Sequence, residues 1–211
     1  MIASDSAFLE TAFNIFNRVY FENSLPKVMI TIQSSRRSYG HITTNKVWKG
    51  KEDSYYEINI SAEYLSRPTE NVMATLLHEM VHLYAMGKGI ADTSNGGRYH
   101  NKNFKRLAEE RDLIIEHDKY IGFSITSPSK RLIEVLRENG LITEIDHCRT
   151  DGSSDNAPTA PGANNGNLGG TEKKKSSTRK YVCEGCGITV RATKDVIIIC
   201  SDCMSVMVKI D

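Results

Sequence analysis

The sequence predicts an α+β fold: a helix, a small mixed or antiparallel sheet and further helices, followed by a small cysteine-rich hairpin module. Apolar residues recur at helical spacing near the N-terminus, alternate with polar ones in three short segments between 27 and 61, and return to helical spacing from 69. Ala7 to Phe21 reads as the first helix, with Phe8, Ala12, Ile15, Phe16 and Val19 on one face. Pro26 closes the connection, and Val28, Ile30 and Ile32 make 27–33 a strand. Tyr39 to Thr44 is a second strand, in which Gly40 marks a bulge or a close backbone approach. Tyr56, Ile58 and Ile60 alternate in a third. The short connections between the strands disfavour a doubly wound sheet. Thr69 caps a helix that reaches about Met86 and stops at Gly87 and Gly89. Asn101 or Asn103 caps the next, through about Leu113, with Phe104, Leu107 and Ala108 on one face. Ser127-Pro128 opens a last helix to about Arg137, ended by Asn139-Gly140. Residues 116–127 carry no readable pattern.

The chain has 211 residues, 39% of them hydrophobic, enough for one ordinary core and a small appendage. Lys+Arg is 27 and Asp+Glu 26, which excludes a globally basic nucleic-acid binder and an acidic solvating chain. No apolar run approaches the ~18 residues of a membrane span, so no membrane partner is expected. The N-terminus carries acids and lacks a long apolar stretch, so the expected compartment is cytoplasmic and reducing rather than secretory. Composition shifts after Arg149: residues 151–170 are nearly all small or polar and cannot offset their ordering entropy. The expected organisation is therefore a first domain over 1–148, a flexible linker over 149–180 with a basic end, and a cysteine module over 181–211.

The first chemical signal is His78-Glu79-Met80-Val81-His82, inside the helix that begins at Thr69. Spacing i, i+4 places both imidazoles on one helix face, within reach of one metal ion, while Glu79 is offset and suits a general base. A buried helix with two hydrogen-bonded histidines is the plainer explanation, but it leaves the downstream histidine unused. A catalytic zinc site needs a third protein ligand. Of His41, His100, His117 and His147, His100 is the best placed, since it follows the Asn95-Gly96-Gly97 turn and precedes a helix. Glu109 or Glu110 is its rival as third ligand. Tyr99, beside His100, is a candidate donor to an oxyanion, and His41, on the second strand, a candidate substrate contact if that strand edges a cleft and accepts an extended polypeptide.

The second signal is Cys183-x-x-Cys186 and Cys200-x-x-Cys203, flanking a 13-residue spacer. This is a zinc-ribbon pattern: two turns each give two thiolates to one tetrahedral ion, a closed and hence structural site. Thr189 to Arg191 and Val196 to Ile199 supply hairpin strands, with Met204 to Val208 a third. About 30 residues cannot support a core alone, so the metal would hold the module together. Cys148 stands outside both pairs as a free thiol. Lys173, Lys174, Lys175, Arg179 and Lys180 precede the module and are candidate phosphate contacts; a solubilising linker end explains them equally well.

The HEMVH helix, the glycine turn before His100 and the NKNF helix after it resemble the SprT-like (Spartan-type) zinc metallopeptidase domain. The upstream segments YFENSLPKVMITIQSSRRSYGHIT and YEINISAEYL resemble that domain too. The resemblance covers roughly residues 5–115 and implies a minimal zincin fold, with His78, His82 and His100 as zinc ligands and Glu79 as general base. It also implies proteolysis of DNA-bound or DNA-crosslinked proteins, and a zinc ribbon after the catalytic domain fits the family. The expected cofactors are two Zn²⁺, one catalytic and one structural. The expected partners are a polypeptide substrate and DNA. A non-proteolytic, DNA-associated regulator that binds through its ribbon is the second reading, and hydrolysis of another amide a third.

Overall fold

The computed structural model describes residues 2–143, 145, 147–150 and 179–210. The chain divides into two compact units at residues 164–165. No helix among the described residues is long and apolar enough to cross a membrane.

In the first unit, α1 (Ile2–Phe21) buries Leu9, Ala12, Phe13 and Phe16, a stripe of three- and four-residue steps. Val19, expected on that stripe, is instead 44% exposed. Four strands follow: β1 (Val28–Gln33), β2 (Gly40–Ile42), β3 (Trp48–Lys49) and β4 (Ser54–Ser61). The sheet is mixed. β4 is central, parallel to β1 on one side and antiparallel to β2 on the other, and β3 pairs with its first residues. Ile58 and Ile60 of β4 are fully buried. The buried Asn59 side chain accepts from the Gln33 N–H at 2.8 Å and the Thr31 hydroxyl at 3.1 Å, which fixes the β1–β4 register.

A single 3₁₀ turn, Ala62–Tyr64, leads to α2 (Thr69–Gly87), which is buried nearly all round. Pro68, not Thr69, precedes its first turn; the Thr69 hydroxyl donates instead to the Thr143 carbonyl. The helix ends where Gly89 turns back at φ +65° and the Ile90 N–H reaches the Ala85 carbonyl. A short hairpin follows, β5 (Thr93–Ser94) and β6 (Tyr99–His100), closed through Asn95, Gly96 and Gly97, all at positive φ. The Asn101 side chain then caps α3 (Lys102–Glu109), accepting from the Asn103 and Phe104 N–H groups.

One expectation fails here. The third helix stops at Glu109, because Asp112 takes φ +61° and Leu113 opens a strand. The unreadable stretch 116–127 lies in a hairpin, β7 (Leu113–Asp118) and β8 (Gly122–Pro128), within a sheet of order β5-β6-β8-β7. The last helix, α4 (Lys130–Glu138), is capped by Ser129, whose hydroxyl accepts from the Leu132 N–H at 3.1 Å. Pro128 therefore ends β8 rather than opening the helix. Arg149, read from sequence as the start of the linker, donates its N–H to the Ala62 carbonyl at 2.9 Å.

The second unit contains β9 (Arg179–Val182), β10 (Thr189–Ala192), β11 (Ile199–Cys200), β12 (Ser205–Val206) and β13 (Val208–Ile210). β9 lies between β10 and β13, and β11 pairs with β12. The partner of β10 is thus β9, not the 196–199 run the spacing favoured. Tyr181, Cys183, Cys200 and Met207 form a separate small core.

Candidate active site

Helix α2 carries His78 and His82 one turn apart, and their Nε2 atoms lie 3.2 Å from each other. The β5–β6 hairpin returns the chain over α2, so that His100 Nε2 stands 3.2 Å from that of His78 and 3.0 Å from that of His82. Three ligands about 2.0–2.1 Å from a tetrahedral zinc ion would be separated by about 3.3 Å, so the triangle fits such an ion with little adjustment. The three imidazoles can hold a metal together. The rivals Glu109 and Glu110 are on the exposed side of α3, paired with Lys105 and Arg106.

The far sides of two rings are held in place. His78 Nδ1 is 2.7 Å from the Thr126 hydroxyl on β8, and His82 Nδ1 is 2.6 Å from the buried Asp92 carboxylate. Such contacts fix the tautomer that leaves Nε2 free to ligate. Phe104, fully buried on α3, packs against all three rings, with centroid separations of 4.5, 4.6 and 4.7 Å. Burial, and then the neighbouring His82 and His100, hold His78 well below its usual range. Burial, and then His82, hold His100 down to about 4. Both therefore keep a lone pair for a metal at neutral pH.

Glu79 lies between His82 and β2, where its carboxylate accepts from the Ile42 backbone N–H. A Cβ on Gly40 would lie 3.4 Å from Glu79 Oε1, 3.0 Å from Thr75 Cγ2 and 3.0 Å from the Asn59 carbonyl, so the glycine marks a close approach of strand and helix. Burial pushes Glu79 up to about 7 against the pull of His82 and the Ile42 N–H. His41 is exposed on the same strand. Tyr99 precedes His100 on β6 and so projects from the opposite face; its hydroxyl meets His117 Nε2 at 3.0 Å. His147 is 3.0 Å from Asp5.

Asp92, Thr126, Phe104 and Gly122 shape the site without having been read as site residues. Asp92 is a lone acid in a loop, and Thr126 falls in the stretch that carried no pattern. Phe104 was read only as core. Gly122 holds φ +71°, and a Cβ there would stand 2.2 Å from the His100 carbonyl.

In the second unit the four sulfurs of Cys183, Cys186, Cys200 and Cys203 lie within 4.8 Å of one another, with Cys186 and Cys200 at 3.6 Å. At a Zn–S distance near 2.3 Å, tetrahedral thiolates would be about 3.8 Å apart. A Cβ on Gly185 would fall 2.9 Å from Cys203 Sγ, so the first turn must be free of a side chain there. The Ser205 hydroxyl and then the Cys186 N–H bring the Cys183 thiol down to about 6, while Cys186 and then Cys183 push Cys203 up to about 12; a bound cation would favour the thiolate at every one of them. Arg179 bonds Asp195 at 3.0 Å and the Thr193 carbonyl at 2.8 Å, while Lys180 is exposed on β9. Lys173, Lys174 and Lys175 lie outside the described residues.

No curated protein and no solved structure gives a significant match to the chain. The family model described as SprT-like matches residues 9–117, which take in β1 to β4, His78, His82 and His100, and reach into β7. The protein belongs to the SprT-like family, whose members are metallopeptidase-like.

Proposed function

We propose that the protein is a zinc-dependent endopeptidase that cleaves DNA-associated or DNA-crosslinked proteins. The observation that carries the reading is the triangle of Nε2 atoms, 3.0–3.2 Å on a side, with a buried glutamate on the same turn of α2. His78, His82 and His100 would hold the ion, and zinc when bound supplies the Lewis acidity that acidifies water and polarises a carbonyl. Glu79, buried beside the triangle, would accept the proton of the attacking water and pass it to the leaving amine. Asp92 and Thr126 keep their histidines oriented while charge develops. Among the described residues β2 pairs with β4 alone, and its other edge suits an extended chain added by strand pairing. His41, exposed on that strand, is a rim contact for the substrate. Tyr99 is engaged by His117, so no oxyanion role is assigned to it.

The link to DNA draws on the family, on the four-cysteine module and on the basic residues before it. Arg179 is already paired with Asp195, so phosphate contact falls to Lys180 and to Lys173, Lys174 and Lys175. The test is digestion of a histone, with and without single-stranded DNA, by the wild type and by Glu79→Gln. Cleavage by the wild type alone, with zinc content unchanged in the variant, is expected. Equal behaviour of the two would leave only a DNA-associated zinc protein.

A further inference from the structure

Arg67 sits where the 3₁₀ turn meets α2, beside the catalytic glutamate's turn of helix. Its Nε donates to the Tyr64 carbonyl at 3.0 Å and its Nη2 to the Thr75 hydroxyl at 3.1 Å. Its guanidinium lies over the Tyr39 ring, 3.8 Å from the centre. Burial draws it down to about 10, and the ionisable groups near it are Tyr39 and Tyr64, not a carboxylate. A guanidinium has five N–H donors, of which these contacts use two. A half-buried cation with no carboxylate partner among the described residues is costly, and one near a reaction centre calls for an anion that arrives with a ligand.

The neighbours of Arg67 say where that anion lies. Thr75 is one helical turn before Glu79, and both close on Gly40 of β2. Tyr39 is the residue before Gly40, so Arg67, Tyr39 and Thr75 stand at the N-terminal end of the edge strand. A peptide added antiparallel to β2 runs from the Ile42 end toward this end. Thr75 and then Glu79 follow one another along α2 toward the histidines in the same sense as Gly40 to Ile42 along β2, so Arg67 meets the part of the peptide that follows the cleaved bond. We infer that Arg67 is a specificity-determining residue that takes the carboxylate of a substrate Glu or Asp on the side that follows the cleaved bond. Charge-assisted, two-pronged pairing of guanidinium and carboxylate is the strongest contact the site offers a side chain. This inference rests on the peptidase reading for its register but not for its chemistry.

Two measurements on the zinc-loaded full chain test it. The first digests a proteome-derived peptide library and reads the residues flanking each cut. The wild type should enrich Glu and Asp after the cut about tenfold over Gln and Asn, Arg67→Lys should keep part of that ratio, and Arg67→Gln should lose it. The ratio is taken within each variant, so a general loss of activity does not move it. The second measures anisotropy of fluorescein-labelled alanine-based peptides with one central Glu or Gln, bound to Glu79→Gln. The Glu peptide should bind about tenfold tighter, and adding Arg67→Gln should erase the difference. Cleavage without acidic enrichment, or equal binding of the two peptides, overturns the role of Arg67. Equal weakening toward both peptides in Arg67→Gln means that the arginine is only a strut and overturns it too. Tighter Glu binding with no cleavage in the wild type supports the anion subsite and overturns the peptidase reading.

Discussion

A side chain at position 122 would collide with the His100 carbonyl and force a residue at φ +71° into a region only glycine enters freely. Gly122→Ala should therefore release His100 from the triangle, and metal analysis should find the site ion lost while the cysteine-bound ion stays. Asp92→Asn removes the carboxylate behind His82 and should weaken zinc at the site by roughly 10- to 100-fold, read by competition with a chromogenic chelator. That His78 and His82 face one point was legible in the sequence because i, i+4 spacing is set within one element. His100 was legible because a glycine turn announced a reversal. Asp92, Thr126 and Gly122 were not, because their roles come from contacts between residues far apart in the chain, and a single acid, threonine or glycine has no local signature.

At the scale of elements, the loop between β1 and β2 is anchored by Glu63, just before α2. Burial alone would raise this carboxyl, but donation from the Ser34 hydroxyl, the Ser35 N–H and the Ser61 hydroxyl outweighs it and holds it at about 2, against 4.5 when free. The stability it contributes is present above pH 4.5 and is lost as pH falls toward 2. Its size is roughly 3 kcal/mol if the full shift counts. Chemical denaturation of wild type and Glu63→Gln at pH 7 and pH 3 should show the difference between them shrinking at the lower pH. In the ribbon, Gly187 turns the chain after the first cysteine pair at φ +74°, and Met204 does so after the second at φ +49°. Met204→Gly should stabilise the zinc-bound ribbon by about 1 kcal/mol in a thermal melt of the metal-loaded chain. Alternation and helical spacing announced β1, β2, β4 and the helices. The β7–β8 hairpin escaped notice because exposed Ile114 and Ile125 and the irregular pairing between Glu116 and Asp118 break the period.

For the whole molecule, the two units hold their candidate metal sites separately, three imidazoles in one and four cysteine sulfurs in the other. Each site gathers residues within its own unit, which is why both motifs could be read independently in the sequence. The family match covers the first unit's sheet and histidines and stops before the ribbon, so it speaks to the peptidase-like core and leaves the DNA role to experiment. The central claim is that the three imidazoles jointly bind an ion. Its most direct test is the zinc content of the purified full-length chain and of His100→Ala, by mass spectrometry of the metal. Two ions per wild-type chain and one in the variant are predicted; one in the wild type, or the same number in both, would contradict the account.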